Sequence, residues 1–336
     1  MSYQCIPTLV LTASAAHQAL QRIAGVDLPP EGPEKGFLLS CGVAKIRRAL
    51  AVTGDALHLH VDVCPSEQVR DESDPTIFNM MGLVFGDTRQ FSDVRKYSDT
   101  KAKGNSYAKK ARVAERLTRA IWDGSLSVLG VCCHGSAGAW YRYGDDLLRT
   151  IPDRLIKRES DAVWLETERI PIATARAMGS YAAGLAFICL RASPWARQLE
   201  VSRINVLLDT LPSKDAGDAS KLLHMFQLHP EMRPAWDLMQ SNYGVRFSFA
   251  DEWSYREPDT DDRPGKQHPG SVLTDWIAQS AYAESNADSW LAKSEHATEG
   301  VRQRVLAPYN LLRDKRYVTE MPLDLLRVGL SSTSDS

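Results

Sequence analysis

The feature that most constrains the fold is a short apolar run that ends in an acid, residues 204–209 (INVLLD). A run of this length and composition predicts a buried strand that carries a carboxylate, Asp209, at its tip. Strand-like runs alternate with helical stretches through most of the chain. This alternation predicts an α/β fold.

Hydrophobic periodicity predicts the individual elements. The predicted strands are residues 8–13, 37–43, 55–63, 77–85, 126–133, 201–209 and 245–250. The predicted helices are residues 14–24, 106–122, 145–156, 172–191, 219–228, 232–240 and 271–284. The connecting loops are short enough for one compact unit. We therefore expect one α/β domain over residues 1–290, a helical extension over 291–328 and a disordered tail over 329–336.

Composition is that of an ordinary globular protein, with 43% hydrophobic and 24% charged residues among 336. No apolar run approaches the roughly 18–20 residues of a membrane span, and the N-terminus lacks the features of a signal peptide. The six cysteines are scattered without a C-x-x-C pair, which is typical of reduced thiols. We therefore expect a cytoplasmic protein with no membrane partner.

Two acids form the first candidate site. Asp209 ends the apolar run, and Asp275 lies in the apolar stretch of the predicted helix 271–284. A strand-end carboxylate and a helix-borne carboxylate can supply the hard oxygen ligands that Mg²⁺ prefers. The alternative is structural: Asp209 would cap a turn, and Asp275 would be a solvated helix position.

The element order around these acids resembles the C-terminal half of a bacterial RNase H-like family. That family carries an N-terminal Asp-Glu-Ser-Gly motif and is linked to mobile elements and defence loci. Residues 207–209 (LLD) and 273–278 (LTDWIA) match its strand and helix patterns, and the resemblance covers residues 126–282. It implies an RNase H-like mixed sheet flanked by helices and a nuclease that uses Mg²⁺ or Mn²⁺. It also implies that Asp209 and Asp275 are catalytic residues. The residue pattern alone predicts only that they can bind a metal.

The chain departs from the family at the first acid. The matching place, residues 11–14 (LTAS), has no carboxylate. Either another acid substitutes, Asp62 or Asp87, or the site is degenerate. We expect metal ligands at Asp209, Asp275 and Asp87. The alternative is a catalytically inactive subunit that binds nucleic acid or a protein partner.

A basic helix is the second candidate site, because Lys and Arg outnumber acids between Arg89 and Arg119. Three arginines of helix 106–122 fall at i, i+4 and i+7 and form one stripe, which can follow phosphates. Little aromatic interleaving accompanies them, so base stacking is not indicated. The alternative is a solvated helix face. The predicted nucleic-acid-binding residues are Lys109, Lys110, Arg112, Arg116 and Arg119.

Strand 55–63 offers a third candidate, because His58, His60 and Asp62 alternate onto one face. Such a set could begin a transition-metal site and would make the protein a metal-dependent hydrolase. The alternative is that these residues form the solvent face of an antiparallel strand. Cys133 and His134 are sequence neighbours on a predicted strand end and should point to opposite faces, which excludes a direct dyad.

Overall fold

The structure is a computed structural model. It describes residues 47, 50, 52, 54–65, 73–86, 100–126, 128–150, 157–159, 162–165, 168–208, 233–251, 269–315 and 317–322. The strands are β1 (Ala56–Cys64), β2 (Ile77–Phe85), β3 (Leu129–Ser136), β4 (Lys157–Glu159), β5 (Ala162–Leu165), β6 (Glu168–Pro171), β7 (Arg203–Leu208), β8 (Arg246–Asp251) and β9 (Val318–Pro322). The helices are α1 (Tyr107–Asp123), α2 (Ala137–Thr150), α3 (Ile172–Gln198), α4 (Arg233–Tyr243), α5 (Pro269–Ser285), α6 (Ala287–Leu291) and α7 (Glu299–Asp314). The predicted α/β class is confirmed.

A mixed six-stranded sheet forms the centre of the described residues, in the order β8-β7-β1-β2-β3-β9. Strand β2 is antiparallel to both of its neighbours, β1 and β3. The other pairs, β1 with β7, β7 with β8 and β3 with β9, are parallel. The five strands other than β2 therefore run in one direction. A separate three-stranded antiparallel sheet has the order β4-β5-β6.

Helices cover both faces of the six-stranded sheet and create two cores. The α3-side core includes side chains of α2, α3 and α4 with Leu57, Leu59 and Val61 of β1. The α5-side core includes side chains of α1, α5 and α7 with Cys64 of β1. A sheet buried on both faces explains why its strands are rich in continuous apolar runs. It also places the even-numbered residues of β1 under α5.

Helix α1 confirms the predicted helix 106–122. Ser106 caps its N-terminus, where the side-chain oxygen accepts a hydrogen bond from the backbone N–H of Lys109 at 3.3 Å. Gly124 ends it with a left-handed φ of 79°, a conformation that glycine adopts without strain. Its buried residues are Ala111, Val113, Ala114, Leu117, Ala120 and Ile121.

Helix α2 begins well before the predicted helix 145–156. Strand β3 runs to Ser136, whose side-chain oxygen accepts a hydrogen bond from Ala139 N at 3.2 Å, so the helix starts at once. The small sheet β4-β5-β6 was not predicted, because strands of three or four residues are too short to show periodicity. The predicted strands 8–13 and 37–43, the helices 14–24 and 219–228 and the tail 329–336 lie outside the described residues.

The segment after residue 290 joins the same sheet and core. Strand β9 pairs with β3, and α7 packs on the α5-side core. Arg313 of α7 holds Glu284 of α5 at 2.7 Å and Glu320 of β9 at 3.6 Å. The region predicted as a helical extension therefore also contributes a sheet strand.

Of the described helices, α3 alone has the length and apolar composition to cross a membrane. Within the fold, 71% of that stretch is buried. Its side chains, including Phe187, Ile188 and Trp195, form much of the α3-side core. The apolar composition of α3 therefore has a use inside the fold.

Helix α5 lies very close to β1 because Gly270 has no side chain. A Cβ atom built at Gly270 would lie 2.6 Å from His60 Nε2. The His60 ring is fully buried, packs edge-on against Phe85 and lies with Nδ1 3.2 Å from Ser271 Oγ. The distance between β1 and α5 is thus set at this contact.

We predict that Gly270→Ala lowers the free energy of unfolding by about 1–3 kcal/mol, because the methyl group meets a buried ring that has little room to move. Chemical denaturation measures the change. Gly300→Ala is the matched control, since a Cβ there meets nothing within 4 Å and helix propensity favours alanine. Equal effects of the two substitutions would contradict the close packing of α5 on β1.

Candidate functional site

Two buried acids lie on two elements that face each other, strand β1 and helix α5. Asp62 of β1 is 5% exposed, and Asp275 of α5 is 7% exposed. Burial raises the pKa of the nearby Cys64 thiol well above its usual value, and the carboxylates of Asp275 and Asp62 raise it further. Helix α5 packs on this face of β1 through Gly270 and Ser271, which contact His60, so Asp62 and Asp275 lie on the facing sides of one helix–strand contact.

Asp275 is anchored to the segment that precedes α1. Its Oδ2 accepts a hydrogen bond of 2.5 Å from the backbone N–H of Ala102, which is itself buried. The neighbouring Trp276 donates from Nε1 to the carbonyl oxygen of Thr100 at 3.0 Å. The interpretation of Asp275 as a solvated helix position is therefore wrong.

Two lysines accompany the acids. Burial lowers the pKa of Lys110, the charge of Lys293 lowers it further, and Cys64 and Asp275 act in the opposite direction. The ammonium nitrogen of Lys293 lies 4.4 Å from the centroid of the Tyr282 ring of α5. We refer to Asp62, Cys64, Lys110, Asp275 and Lys293 as the acid–lysine cluster.

Sequence patterns found this cluster only in part. The sequence predicts Asp62 only as a replacement for the acid missing from residues 11–14. It predicts Lys110 as a nucleic-acid-binding residue together with the arginines. Cys64 and Lys293 were not singled out. Alternation along β1 could have placed Cys64 with Asp62, whereas nothing in the sequence brings Lys293 to them.

The other predicted acids, Asp209 and Asp87, lie outside the described residues, but the strands that precede them are described. Leu208, the last residue of β7, pairs with Val61 of the parallel strand β1. Phe85, the last residue of β2, pairs with His58 at the other part of β1. The end of β7, which precedes Asp209, therefore lies beside Asp62. The end of β2 lies nearer the start of β1, beside His58.

The oxygen donors of Asp62 and Asp275 suit Mg²⁺ or Mn²⁺, which favour hard ligands. Within the described part of the chain, no group of three or more His, Cys, Asp or Glu side chains is arranged to hold a metal ion. The two carboxylates would therefore need a further acid, and Asp209, the residue that follows β7 in the chain, is a predicted one. The described residues fit a metal only in part.

The face of β1 that carries His58, His60 and Asp62 is not a solvent face. Helix α5 covers it, and His60 packs beneath Gly270 with Nδ1 near Ser271. Among the residues described, these three do not form a metal-holding group. The solvent-face interpretation is therefore wrong, because it took the polar side of an alternating strand for an exposed side.

The two central cysteines of β3 point to opposite faces of the sheet, as expected. Cys132 belongs to the α5-side core and Cys133 to the α3-side core. Burial raises the pKa of Cys132 to about 12 and that of Cys133 well above its usual value. Both remain protonated thiols at neutral pH and are unsuited to act as nucleophiles.

The five predicted nucleic-acid-binding residues separate into three groups. Lys110 is partly buried, with its Nζ 5.0 Å from the centroid of the Tyr107 ring, whereas Lys109 donates from Nζ to Thr100 Oγ1 at 3.3 Å. The arginine stripe, Arg112, Arg116 and Arg119, is exposed on the outer face of α1.

Glu115, the acid beside the arginine stripe, pairs with Arg304 of α7 at 3.3 Å. The stripe is therefore an outward-facing basic surface.

Comparisons with protein-family models, curated proteins and solved structures found no match to this chain.

We predict that Asp275→Ala lowers the free energy of unfolding by about 1–3 kcal/mol, because it leaves the buried N–H of Ala102 without its acceptor. Asp275→Asn keeps a carbonyl oxygen at this place and should cost less. Denaturant titration of the three proteins measures both effects. An alanine variant as stable as the wild type would show that the hydrogen bond to Ala102 does not stabilise the fold.

The lowered pKa of Lys110 predicts a pH-dependent stability. The folded state binds this proton less tightly than the unfolded state, where the pKa is about 10.4. The free energy of unfolding therefore rises with pH between the two pKa values. Below that range Lys110 is charged in the folded state, and the destabilisation from burying this charge is fully present. Lys110→Met removes this cost, so its stability relative to wild type should fall as the pH rises toward about 10.

Melting temperatures measured from neutral to alkaline pH test this expectation. Lys109→Met is the matched control for removing a lysine from the first turn of α1. An identical pH dependence of the two variants would contradict a special environment for Lys110.

Proposed function

We propose that this chain is an RNase H-like protein that binds nucleic acid and cleaves phosphodiester bonds with Mg²⁺ or Mn²⁺. Its metal-holding acids would be Asp62, Asp209 and Asp275. The observation that carries the proposal is the placement of two buried acids, Asp62 and Asp275, on β1 and α5, which pack directly on each other at His60 and Gly270. Buried carboxylates on facing elements are costly unless a cation or donors compensate them, which is a common property of functional sites.

The order of strands supports the RNase H-like part of the proposal. Strands β1, β2 and β3 follow one another in antiparallel order, and β7 and β8 are added in parallel beside β1. In the family that the chain resembles, the end of the first strand carries the first acid. Strand β1 is the first of the described strands and lies third in the six-stranded sheet, so Asp62 would replace the acid that is missing from residues 11–14.

The register supports Asp209 as the second acid. Val61 and Leu208 are paired on adjacent parallel strands, and the residues that follow them in the chain are Asp62 and Asp209. Adjacent strands lie about 4.8 Å apart. Ligand sites of α/β proteins commonly lie at the carboxyl ends of parallel strands.

The residues of the site would divide the work. A bound Mg²⁺ or Mn²⁺ ion would activate water and stabilise the leaving oxygen. The three acids would hold it, and the bond from Ala102 would fix the position of Asp275. Lys110 and Lys293 supply positive charge that attracts a phosphate, and the arginine stripe holds the strand through its phosphates.

A catalytically inactive nucleic-acid-binding subunit is the second candidate function. Two observations favour it: Asp275 already accepts a hydrogen bond from Ala102, and the charge of Lys110 acts on Asp275 without any metal. The hydrogen bond and the lysine charge can compensate the buried carboxylate of Asp275 in a protein that no longer binds a metal. A hydrolase that uses His58 and His60 has no comparable support, since His60 is packed beneath α5.

From the family resemblance we also propose a role in mobile-element or phage defence in the cytoplasm.

We predict that Asp62→Asn and Asp209→Asn each abolish cleavage of labelled DNA or RNA in Mg²⁺ or Mn²⁺, because the amide keeps the shape but removes the charge that a metal needs. Gel assays with single- and double-stranded substrates measure the loss, and EDTA should abolish wild-type cleavage as well. Asp55→Asn is the control, since Asp55 is an exposed acid that lies 3.8 Å from Arg203. It should leave cleavage unchanged.

Undiminished cleavage by the Asp62 variant would remove Asp62 from the site. A wild type that binds nucleic acid but cleaves no substrate would select the inactive subunit instead.

A further inference from the structure

Trp122 is the one large hydrophobic side chain that the described part of the chain exposes, with 72% of its surface accessible. It lies in the last turn of α1. Most of an exposed indole is apolar surface in contact with water, and its burial by a ligand would be favourable. Few aromatic residues accompany the arginines in the sequence, which therefore does not indicate base stacking; the exposure of Trp122 is visible only in the structure.

A shallow groove between α1 and α7 extends from this indole. Trp122 lines it together with the apolar side chains Ala307 and Leu311 of α7. Arg119 of the arginine stripe lines the same groove. The stripe and the indole therefore belong to one continuous surface.

A second positive charge, Lys315, also lies near the indole. Lys315 Nζ lies 5.5 Å from the centroid of the Trp122 ring. It donates hydrogen bonds to the carbonyl oxygens of Ile121 at 2.8 Å and Trp122 at 3.0 Å, which fixes it at the C-terminal end of α1. An exposed apolar ring with Arg119 in the same groove and Lys315 beside it suits a flat ligand group attached to negative charge.

We propose that Trp122 is a stacking platform for a base of single-stranded nucleic acid whose phosphates follow Arg112, Arg116 and Arg119. This inference rests on the nucleic-acid-binding part of the proposed function and adds the form of the substrate. Proteins that bind single strands combine a basic track with aromatic side chains on which bases stack. In a duplex the bases stack on each other and are not free to lie on the indole.

The length of α1 connects the platform to the acids. Lys110 of the acid–lysine cluster and Trp122 are twelve residues apart on this helix. At 1.5 Å per residue the separation along the helix axis is about 18 Å. A strand that follows α1 would thus have a base on Trp122 a few nucleotides away from Asp62 and Asp275.

The test is a binding experiment in EDTA, so that cleavage plays no part. Fluorescence anisotropy measures the affinity of a labelled oligo-dT strand and of the same strand paired with oligo-dA. Trp122→Ala should weaken single-strand binding by roughly 5- to 150-fold, the range for loss of one stacked base. Trp122→Phe should keep most of the affinity, and Trp122→Leu, which is apolar but cannot stack, should resemble alanine.

Salt dependence separates the ring from the arginine stripe. The Trp122 variants should leave the slope of log K against log salt unchanged. Replacing Arg112, Arg116 and Arg119 together with alanine should reduce the slope by about two units, since each phosphate contact on a single strand contributes about 0.7. All the replaced side chains are exposed, so melting temperatures should stay near that of the wild type.

Three outcomes would overturn the stacking platform. Full single-strand affinity in Trp122→Ala, with weaker binding in the triple arginine variant, would remove the platform and leave the nucleic-acid-binding proposal standing. Full affinity in Trp122→Leu would make the groove a general apolar contact, as for a protein partner. A wild type that binds neither single strand nor duplex would refute the nucleic-acid-binding proposal itself.

Discussion

The close packing of α5 on β1 is the contact on which the candidate site depends. Gly270 allows the helix to approach the buried ring of His60, and this approach brings Asp275 over the sheet face that carries Asp62. The hydrogen bond from Ala102 to Asp275 then fixes the start of α1 against the same helix. One helix–strand contact therefore positions both acids and the N-terminal end of the basic helix.

Burial on both faces of the sheet gives the polar residues of β1 their significance. In a sheet with one wet face, alternating His, His and Asp side chains would simply be hydrated. Beneath α5 they lose water, and each must be compensated by a hydrogen bond, a charge or a bound ion. The ammonium groups of Lys110 and Lys293 supply part of this compensating charge. The acids are therefore compatible both with a metal site and with an inactive protein that binds no metal.

The sequence predicted most of the large elements, because long helices and nine-residue strands carry clear periodicity. Strand β2 has its predicted bounds, and α1 differs from its prediction by one residue at each end. The site was harder to predict. Alternation located Asp62 on a strand but could not tell a solvated face from one covered by a helix. The exposure of Trp122 depends on the angle at which α7 packs on α1, which no local pattern encodes.

The position of β9 has a consequence for biosynthesis. This strand covers the edge of β3, although about 180 residues separate the two strands in the chain. Until the ribosome has delivered residues 318–322, the open edge of β3 is available to pair with other chains. The nascent protein thus passes through a long interval in which β3 lacks its neighbour β9, and chaperone binding during synthesis would have its greatest value there.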